Sequence, residues 1–390
     1  MWFLFGNALK REISFNPYPK VWVLLNQRAG ENTQVLALAE ALGWPYEVKR
    51  FTYRTGVPYL CLQASLAGII KAKSDSLNPP WPDLIISAGA RNEPICRWVQ
   101  QEAKKLGHQV RLIHIGRPWN RLDKFDLVIT TPQYRLPQRP NVLHNSLTLH
   151  RVTTARLEIE VQRWQSRLAH LPRPRIAVMI GGSSGPYVLD EKAARRLANQ
   201  VNELARKMGA SLLVTTSART RPGILDAIKN VVTVPTYFFE WSQGQKDNPY
   251  YAFLGMADHI IVTGDSVSML TEAVATGKPV HIFDLLDESD FPSLRDWNLE
   301  TMRACIYRWA MQWMPRRLTR DVSLVHQRVI REGQAVWLGQ TFVNGPRVSS
   351  LKDKDLAIAR VRSLFYDREF TPVGKRVKPV VRETKPAMTA

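Results

Sequence analysis

Short, continuous apolar runs alternate with stretches of helical spacing along most of the chain. The runs at 21–26 (VWVLLN), 82–89 (PDLIISAG), 110–116 (VRLIHIG) and 125–132 (FDLVITTP) predict buried strands. Four to eight apolar residues bounded by turn signals fit a strand covered on both faces. Between them, 33–43 (TQVLALAEALG) and 94–107 (PICRWVQQEAKKLG) carry apolar residues at helical spacing, and each stops at a glycine. Strand, loop and helix in repetition predict βαβ units and an open parallel sheet.

The rhythm breaks once and then restarts. Residues 151–170 (RVTTARLEIEVQRWQSRLAH) read as a charged amphipathic helix, and the proline-punctuated 171–174 closes it. Strands follow at 175–182, 210–219, 230–238, 259–264 and 278–285, with helices at 190–208, 248–258 and 268–277. The expected organisation is an N-terminal extension (1–20), a first Rossmann-like domain (21–150, acceptor side) and a linker helix (151–174). A second Rossmann-like domain (175–310, nucleotide side), C-terminal helices (311–368) and a flexible basic tail (369–390) complete it. The predicted fold is α/β: two doubly wound domains facing a cleft, where ligands bind outside the C-terminal ends of the strands.

Composition narrows the function classes. Of 390 residues, 45% are hydrophobic and 23% charged, which excludes a wholly disordered, collagen-like or coiled-coil chain. Three distant cysteines (Cys61, Cys96, Cys305) exclude a disulfide framework or a Cys-rich zinc site and fit a reducing compartment. The formal charge of +20 favours anionic partners, and it is spread along the chain. The first 150 residues hold 19 basic and 10 acidic side chains, the remaining 240 hold 35 and 24.

No stretch is apolar for long enough to span a membrane. The N-terminal run MWFLFGNAL is short and precedes its charges, unlike a secretory leader. Trp2, Phe3, Leu4 and Phe5 are expected to pack on the body of the protein, the alternative being a lipid interface.

Candidate chemistry concentrates in the second domain. Gly181-Gly182-Ser183-Ser184-Gly185 lies between a strand and a helix, where exposed N–H groups and a helix N-terminus suit a phosphate. It is neither a dinucleotide fingerprint nor a Walker loop, and a tight turn without a ligand is the alternative. Ser217, Arg219 and Arg221 end the next strand, where hydroxyls and guanidiniums suit a diphosphate. Thr263, Ser266 and Ser268 form a hydroxyl-rich turn with Glu272 one turn into the following helix, a pattern that helix capping alone also explains.

These residues carry a resemblance. The stretch from Gly264 to Pro279, with Glu272 and Gly277-Lys278-Pro279-Val280, resembles the donor-nucleotide half of GT-B glycosyltransferases. It is similar to the lipid-linked N-acetylglucosaminyltransferase of peptidoglycan synthesis, in which the equivalent acid holds the ribose hydroxyls. The Gly-rich turn resembles the diphosphate loop of that fold. A wider set of motifs resembles the mitochondrial-fission "elongated mitochondria" family from Val21 to Leu285. These are Asn26 with Gly30-Glu31-Asn32-Thr33-Gln34, Ser87-Ala88-Gly89-Ala90-Arg91, Phe125-Asp126-Leu127-Val128, Ile180-Gly181-Gly182-Ser183, Ser217-Ala218-Arg219-Thr220, Asn248-Pro249-Tyr250 and Thr263-Gly264-Asp265-Ser266-Val267-Ser268-Met269. The chain departs from the family at Ala88 and Ala90, where glycine or arginine is expected. Among the family's members are bacterial proteins and a plant member that recruits a dynamin-related protein at the mitochondrial surface.

The resemblance implies a nucleotide-sugar as substrate, with no cofactor and no metal. No histidine cluster or carboxylate cage contradicts that. Glu31 is the candidate base, the alternative being an acid that favours a helix N-terminus. His114 is its rival, and Gly30, Asn32, Gln34, Arg91 and Arg117 are candidate acceptor contacts. The apolar segment 59–71 is expected to be a core helix, the alternative being a membrane-facing patch. The expected activity is metal-independent sugar transfer to an anionic or lipid-linked envelope acceptor. The alternative is a non-catalytic adaptor that recruits a protein partner at a membrane surface. No specific nucleic-acid partner is expected. The expected location is the cytoplasm, with peripheral attachment to the inner face of the membrane as a variant.

Overall fold

The structure is a computed structural model, and it describes residues 18–55, 63–245, 247–286, 298–316, 319–342 and 352–366. The N-terminal apolar run, Cys61, the first part of the 59–71 segment and the basic tail lie outside the described residues.

The first sheet is built of β1 (Val21–Leu25), β2 (Tyr46–Arg50), β3 (Leu84–Ala88), β4 (Arg111–Ile115), β5 (Leu127–Thr130) and β6 (Val142–His144). All pairings are parallel, in the order β2-β1-β3-β4-β5-β6. Alternation along β1 separates two cores. Val21, Val23 and Leu25 pack on the side of α1 (Ala29–Leu42), whereas Trp22 and Leu24 pack on the side of α2 (Glu93–Lys105). Burial on both faces explains why these strands read as unbroken apolar runs.

β2 escaped the apolar-run criterion because it is an edge strand with charges at alternate positions. Its Lys49 is nonetheless buried, donating to Ser76 O at 2.7 Å and lying 4.4 Å from the centre of the Trp22 ring. The described part of the 59–71 segment is irregular instead of the expected core helix, and its Ile69 bridges to Tyr53.

The second sheet comprises β7 (Arg175–Met179), β8 (Ser211–Thr215), β9 (Thr236–Phe239), β10 (His259–Thr263), β11 (Val280–Phe283) and β12 (Ala335–Trp337). It is again all parallel, in the order β12-β11-β10-β7-β8-β9. Its helices include α4 (Glu191–Met208), α5 (Ile224–Lys229), α6 (Tyr250–Met256) and α7 (Val267–Val274). Two features differ from the expected boundaries. The edge strand β12 lies beyond residue 310, so this domain draws on the region expected to hold only C-terminal helices. The linker helix α3 (Thr154–Leu168) buries Trp164 and Leu168 in the second core and packs against α6. The two approach so closely that a Cβ on Gly255 would lie 2.6 Å from Val161.

Beyond the second sheet come α8 (Leu299–Trp313), α9 (Ser323–Arg331) and α10 (Asp353–Arg362). The chain then returns to the first domain. Ala357 and Val361 of α10 join the core beside α1, and Asp353 accepts from the backbone N–H groups of Ser146 and Leu147 at 2.8 and 2.9 Å.

Candidate functional site

Each sheet has one point where strand order reverses, and the loops leaving it open a crevice. In the first sheet that point lies between β1 and β3, which are followed by Asn26–Arg28 with the first turn of α1 and by Gly89–Arg91. In the second it lies between β7 and β10, whose loops carry Gly181–Gly185 and Gly264–Ser266. The two crevices meet. Ser268 Oγ, in the first turn of α7, lies 3.5 Å from Gly30 O in the first turn of α1, and a Cβ on Gly30 would be 2.9 Å from that hydroxyl.

Neither helix start has a side-chain cap: the flanking residues, Arg28 and Ser266, make no capping bond. Two positive helix ends therefore converge at one place, which favours an anion.

The Gly-rich turn is held from within. Gly181 N donates to Thr263 Oγ1 at 2.8 Å and Gly182 N to Asp265 Oδ2 at 3.0 Å. The buried Asp265 carboxylate also accepts from Thr263 Oγ1 at 2.7 Å and pairs with Arg219 at 2.7 Å. A Cβ on Gly181 would lie 2.3 Å from Asp265 Oδ2, and one on Gly182 would lie 2.2 Å from Arg219 O. Glycine is required here by close approach. Ser217 Oγ donates to Gly181 O at 2.8 Å, and Thr220 holds the same carbonyl. Asp265 and Thr220 were missing from the candidate ligands, although both stand inside the motifs. They act as the frame of the loop, together with Ser217 and Thr263.

The expectation of an open cradle is corrected at Ser183, Ser184 and Gly185. The Ser183 hydroxyl lies 3.3 Å from Glu300 of α8, Ser184 Oγ accepts from Arg320, and Tyr307 stands over Gly185. Three guanidiniums surround the turn, each on a protein partner: Arg219 on Asp265, Arg221 on Glu300 at 2.7 Å, and Arg320 on Ser184.

Glu272 is buried at the base of α7. Tyr250 donates to its Oε2 at 2.7 Å and Tyr251 to its Oε1 at 3.1 Å. Burial raises its pKa, while the two tyrosine hydroxyls and Arg156 and Arg151 oppose the rise. Each carboxylate oxygen thus already accepts one hydroxyl. The neighbouring Thr271 meets Thr148 at 2.9 Å, and Arg151 forms a two-pronged pair with Glu40 of α1, so this region also joins the domains.

In the first domain Asn26 is the keystone. Its Nδ2 donates to Glu31 Oε2 at 2.6 Å and to Ala88 O at 3.1 Å, and its Oδ1 accepts from Arg28 N at 2.7 Å. Asn32 clasps the Asn26 backbone through both ends of its amide, at 2.8 and 2.7 Å. Gln34 donates to Gly30 O at 3.1 Å. These amides therefore shape the loop. Glu31 also pairs with Arg28 at 3.1 Å, and its Oε2 would lie 2.3 Å from a Cβ on Gly89, whose φ of +80° favours glycine. Arg91 stacks 5.3 Å from the Tyr53 ring.

Arg117 lies between Trp119 and Tyr134 and donates to Thr319 O at 2.7 Å. With Arg135 on Asp321 and Arg320 on Ser184, residues 319–321 strap the first domain to the Gly-rich turn.

His114 must be corrected as a candidate base. It is wholly buried inside β4, its ring 5.2 Å from Phe125, and neither ring nitrogen has a hydrogen-bond partner. Burial pushes its pKa down to about 3. The side chain is a neutral part of the sheet and does not reach the cleft.

Among the described residues no group of three or more His, Cys, Asp or Glu could hold a metal, and no helix is long and apolar enough to cross a membrane. A cavity is lined by Arg54, Leu66, Ile70 and, from α2, Trp98.

Comparison with solved structures finds a glycosyltransferase from Rickettsia africae, 11% identical, covering 90% of this chain and 98% of that one at a TM-score of 0.43. At that score the superposition supports nothing by itself, and the architecture rests on the sheet orders above. A mitochondrial fission protein ELM1 of Arabidopsis thaliana is 26% identical over 243 residues, 57% of this chain and 56% of the plant protein, so the chain spans little more than half of that relative. An uncharacterised protein of Rickettsia prowazekii is 26% identical over 297 residues, 67% of this chain and 82% of its own length. The family described as Mitochondrial fission ELM1 matches residues 29–294, and the chain belongs to that family.

Proposed function

We propose that the protein is a GT-B-like glycosyltransferase that takes a sugar from a nucleoside diphosphate and passes it to an anionic or lipid-linked envelope acceptor without a metal. The observation that carries this reading is the meeting of two uncapped helix starts, α1 and α7, where the two switch-point crevices join. Helix ends and the guanidiniums of Arg219, Arg221 and Arg320 would stabilise the departing diphosphate. Glu31 would take the proton of the attacking acceptor hydroxyl as the bond from sugar to diphosphate breaks. Arg91 would hold the acceptor's charge. Glu272 would bind the ribose hydroxyls once Tyr250 and Tyr251 turn away. The site of action would be the cytoplasmic face of the membrane.

A second reading has its own support: a non-catalytic adaptor that recruits a protein at a membrane surface. Thr263 and Asp265 already accept from the first two amides of the Gly-rich turn, and two tyrosines already donate to Glu272. A thermal-shift screen against UDP-, GDP-, ADP-, TDP- and CMP-sugars separates the two. At about 100 times Kd a ligand adds about 2.7 kcal/mol. A shift confined to one nucleotide class, lost in Glu272→Ala, is the expected result. No shift with any of them in the folded protein would favour the adaptor.

A further inference from the structure

Helix α8 shows its large apolar side chains to solvent. Leu299, Met302, Ile306, Trp309 and Trp313 are all exposed, between 44% for Met302 and 74% for Trp313. Their spacing of three, four, three and four residues sets them in one narrow stripe along the helix. The opposite face holds the contacts to the protein: Thr301 and Ala304 are buried, Glu300 pairs with Arg221, and Arg308 donates to Pro186 O at 3.1 Å. The usual arrangement, with apolar residues inward, is therefore reversed along 15 residues of helix.

We propose that this stripe is a docking surface for an anionic lipid bilayer, on which α8 lies parallel to the membrane plane. Charge selects this occupant. Arg303 and Arg316 are exposed beside the stripe, and the one acid of α8, Glu300, is neutralised by Arg221. The whole chain carries +20. Tryptophans at the C-terminal end suit the headgroup level, and arginines reach phosphate from an apolar helix. Pairing of the stripe with a second copy would bring like-charged arginines together. Because Glu300 and Tyr307 of the same helix touch Ser183 and Gly185, docking would hold the Gly-rich turn one helix diameter, about 10 Å, from the membrane surface. The inference does not depend on sugar transfer, and either can fail alone.

The experiment is co-sedimentation of the full chain with vesicles of phosphatidylcholine alone or mixed with phosphatidylglycerol. The variants are Trp309→Ser/Trp313→Ser and Ile306→Ser, all at exposed positions. Light scattering gives the mass in solution, and circular dichroism checks the fold. The expected result is binding to the anionic vesicles that weakens with salt and falls at least tenfold in the double variant. Failure of the wild type to bind, or equal binding by the folded variants, overturns the proposal. A wild-type dimer that becomes monomeric in the variants also overturns it, since a second copy then covers the stripe.

Discussion

Removing the Asp265 carboxylate should loosen the Gly-rich turn by an amount that the contacts define. In Asp265→Ala, the buried Gly182 N–H loses its acceptor, which costs about 1–3 kcal/mol. Arg219 is 40% exposed on the other side of its ion pair, so that loss adds at most about 1 kcal/mol. The total is about 1–4 kcal/mol. For a cooperative unit of about 150–250 residues, each kcal/mol lowers Tm by about 2–4 °C.

Gly181→Ala acts on the same contact from the other side. Its backbone φ lies outside the left-handed region, so the cost comes from the new Cβ set 2.3 Å from Asp265 Oδ2. Overpacking of that kind costs about 1–3 kcal/mol. The clash disappears once the carboxylate is gone. Urea denaturation of the wild type, both single variants and the double variant should therefore give a coupling of at least about 1 kcal/mol, with the double variant more stable than the sum predicts. Additive effects, or Asp265→Ala melting within about 1 °C of the wild type, would refute the claim that this buried carboxylate holds the loop.

Acid should destabilise the protein well above the range where carboxylates titrate. Burial holds the folded-state pKa of His114 down to about 3 and those of His150 and His281 to about 4, below the unfolded value of about 6.5. The unfolded chain therefore binds more protons at low pH. The stability these neutral rings contribute is complete above about pH 6.5 and is lost as pH falls toward 4 and then 3. Glu93, raised to about 7 mainly by burial, runs the other way, its contribution fading as pH rises through 7. A urea midpoint that stays flat between pH 7 and 4.5 would contradict the histidine assignment. Thiol labelling of the native protein, read by peptide mapping, should modify Cys305 well before Cys96. Cys96 is buried and its thiol is pushed up to about 12 by burial, so equal rates at the two would show that α2 does not seal it.

The repeating strand–loop–helix rhythm was legible without any structure because it is local. A strand covered by helices on both faces is mostly apolar: β1 is apolar throughout, and β3, β7 and β10 depart from that only at Ser87, Arg175, His259 and Thr263. Elements that depend on a distant partner were not legible. β2 keeps Lys49 inside with the help of the distant Trp22 ring and Ser76 O besides its neighbour Glu47, and β12 is a strand through its pairing with β11.

The same division runs through the site. Glycines, hydroxyls and arginines at strand ends marked where the chemistry would lie, since turn residues and their offsets stand in the chain itself. Which group each of them faces depends on contacts between residues six to more than a hundred positions apart. Asp265 under Gly182, tyrosines on Glu272, Asn32 turned back on Asn26 and His114 sealed beneath Phe125 all arise from packing. Local pattern determined two doubly wound domains and the loops that meet between them. The tertiary structure alone decided which polar groups in those loops bond to one another and which apolar face of α8 is left exposed. Hydrogen bonds and burial are settled by neighbours in space, and the order of residues along the chain does not name those neighbours.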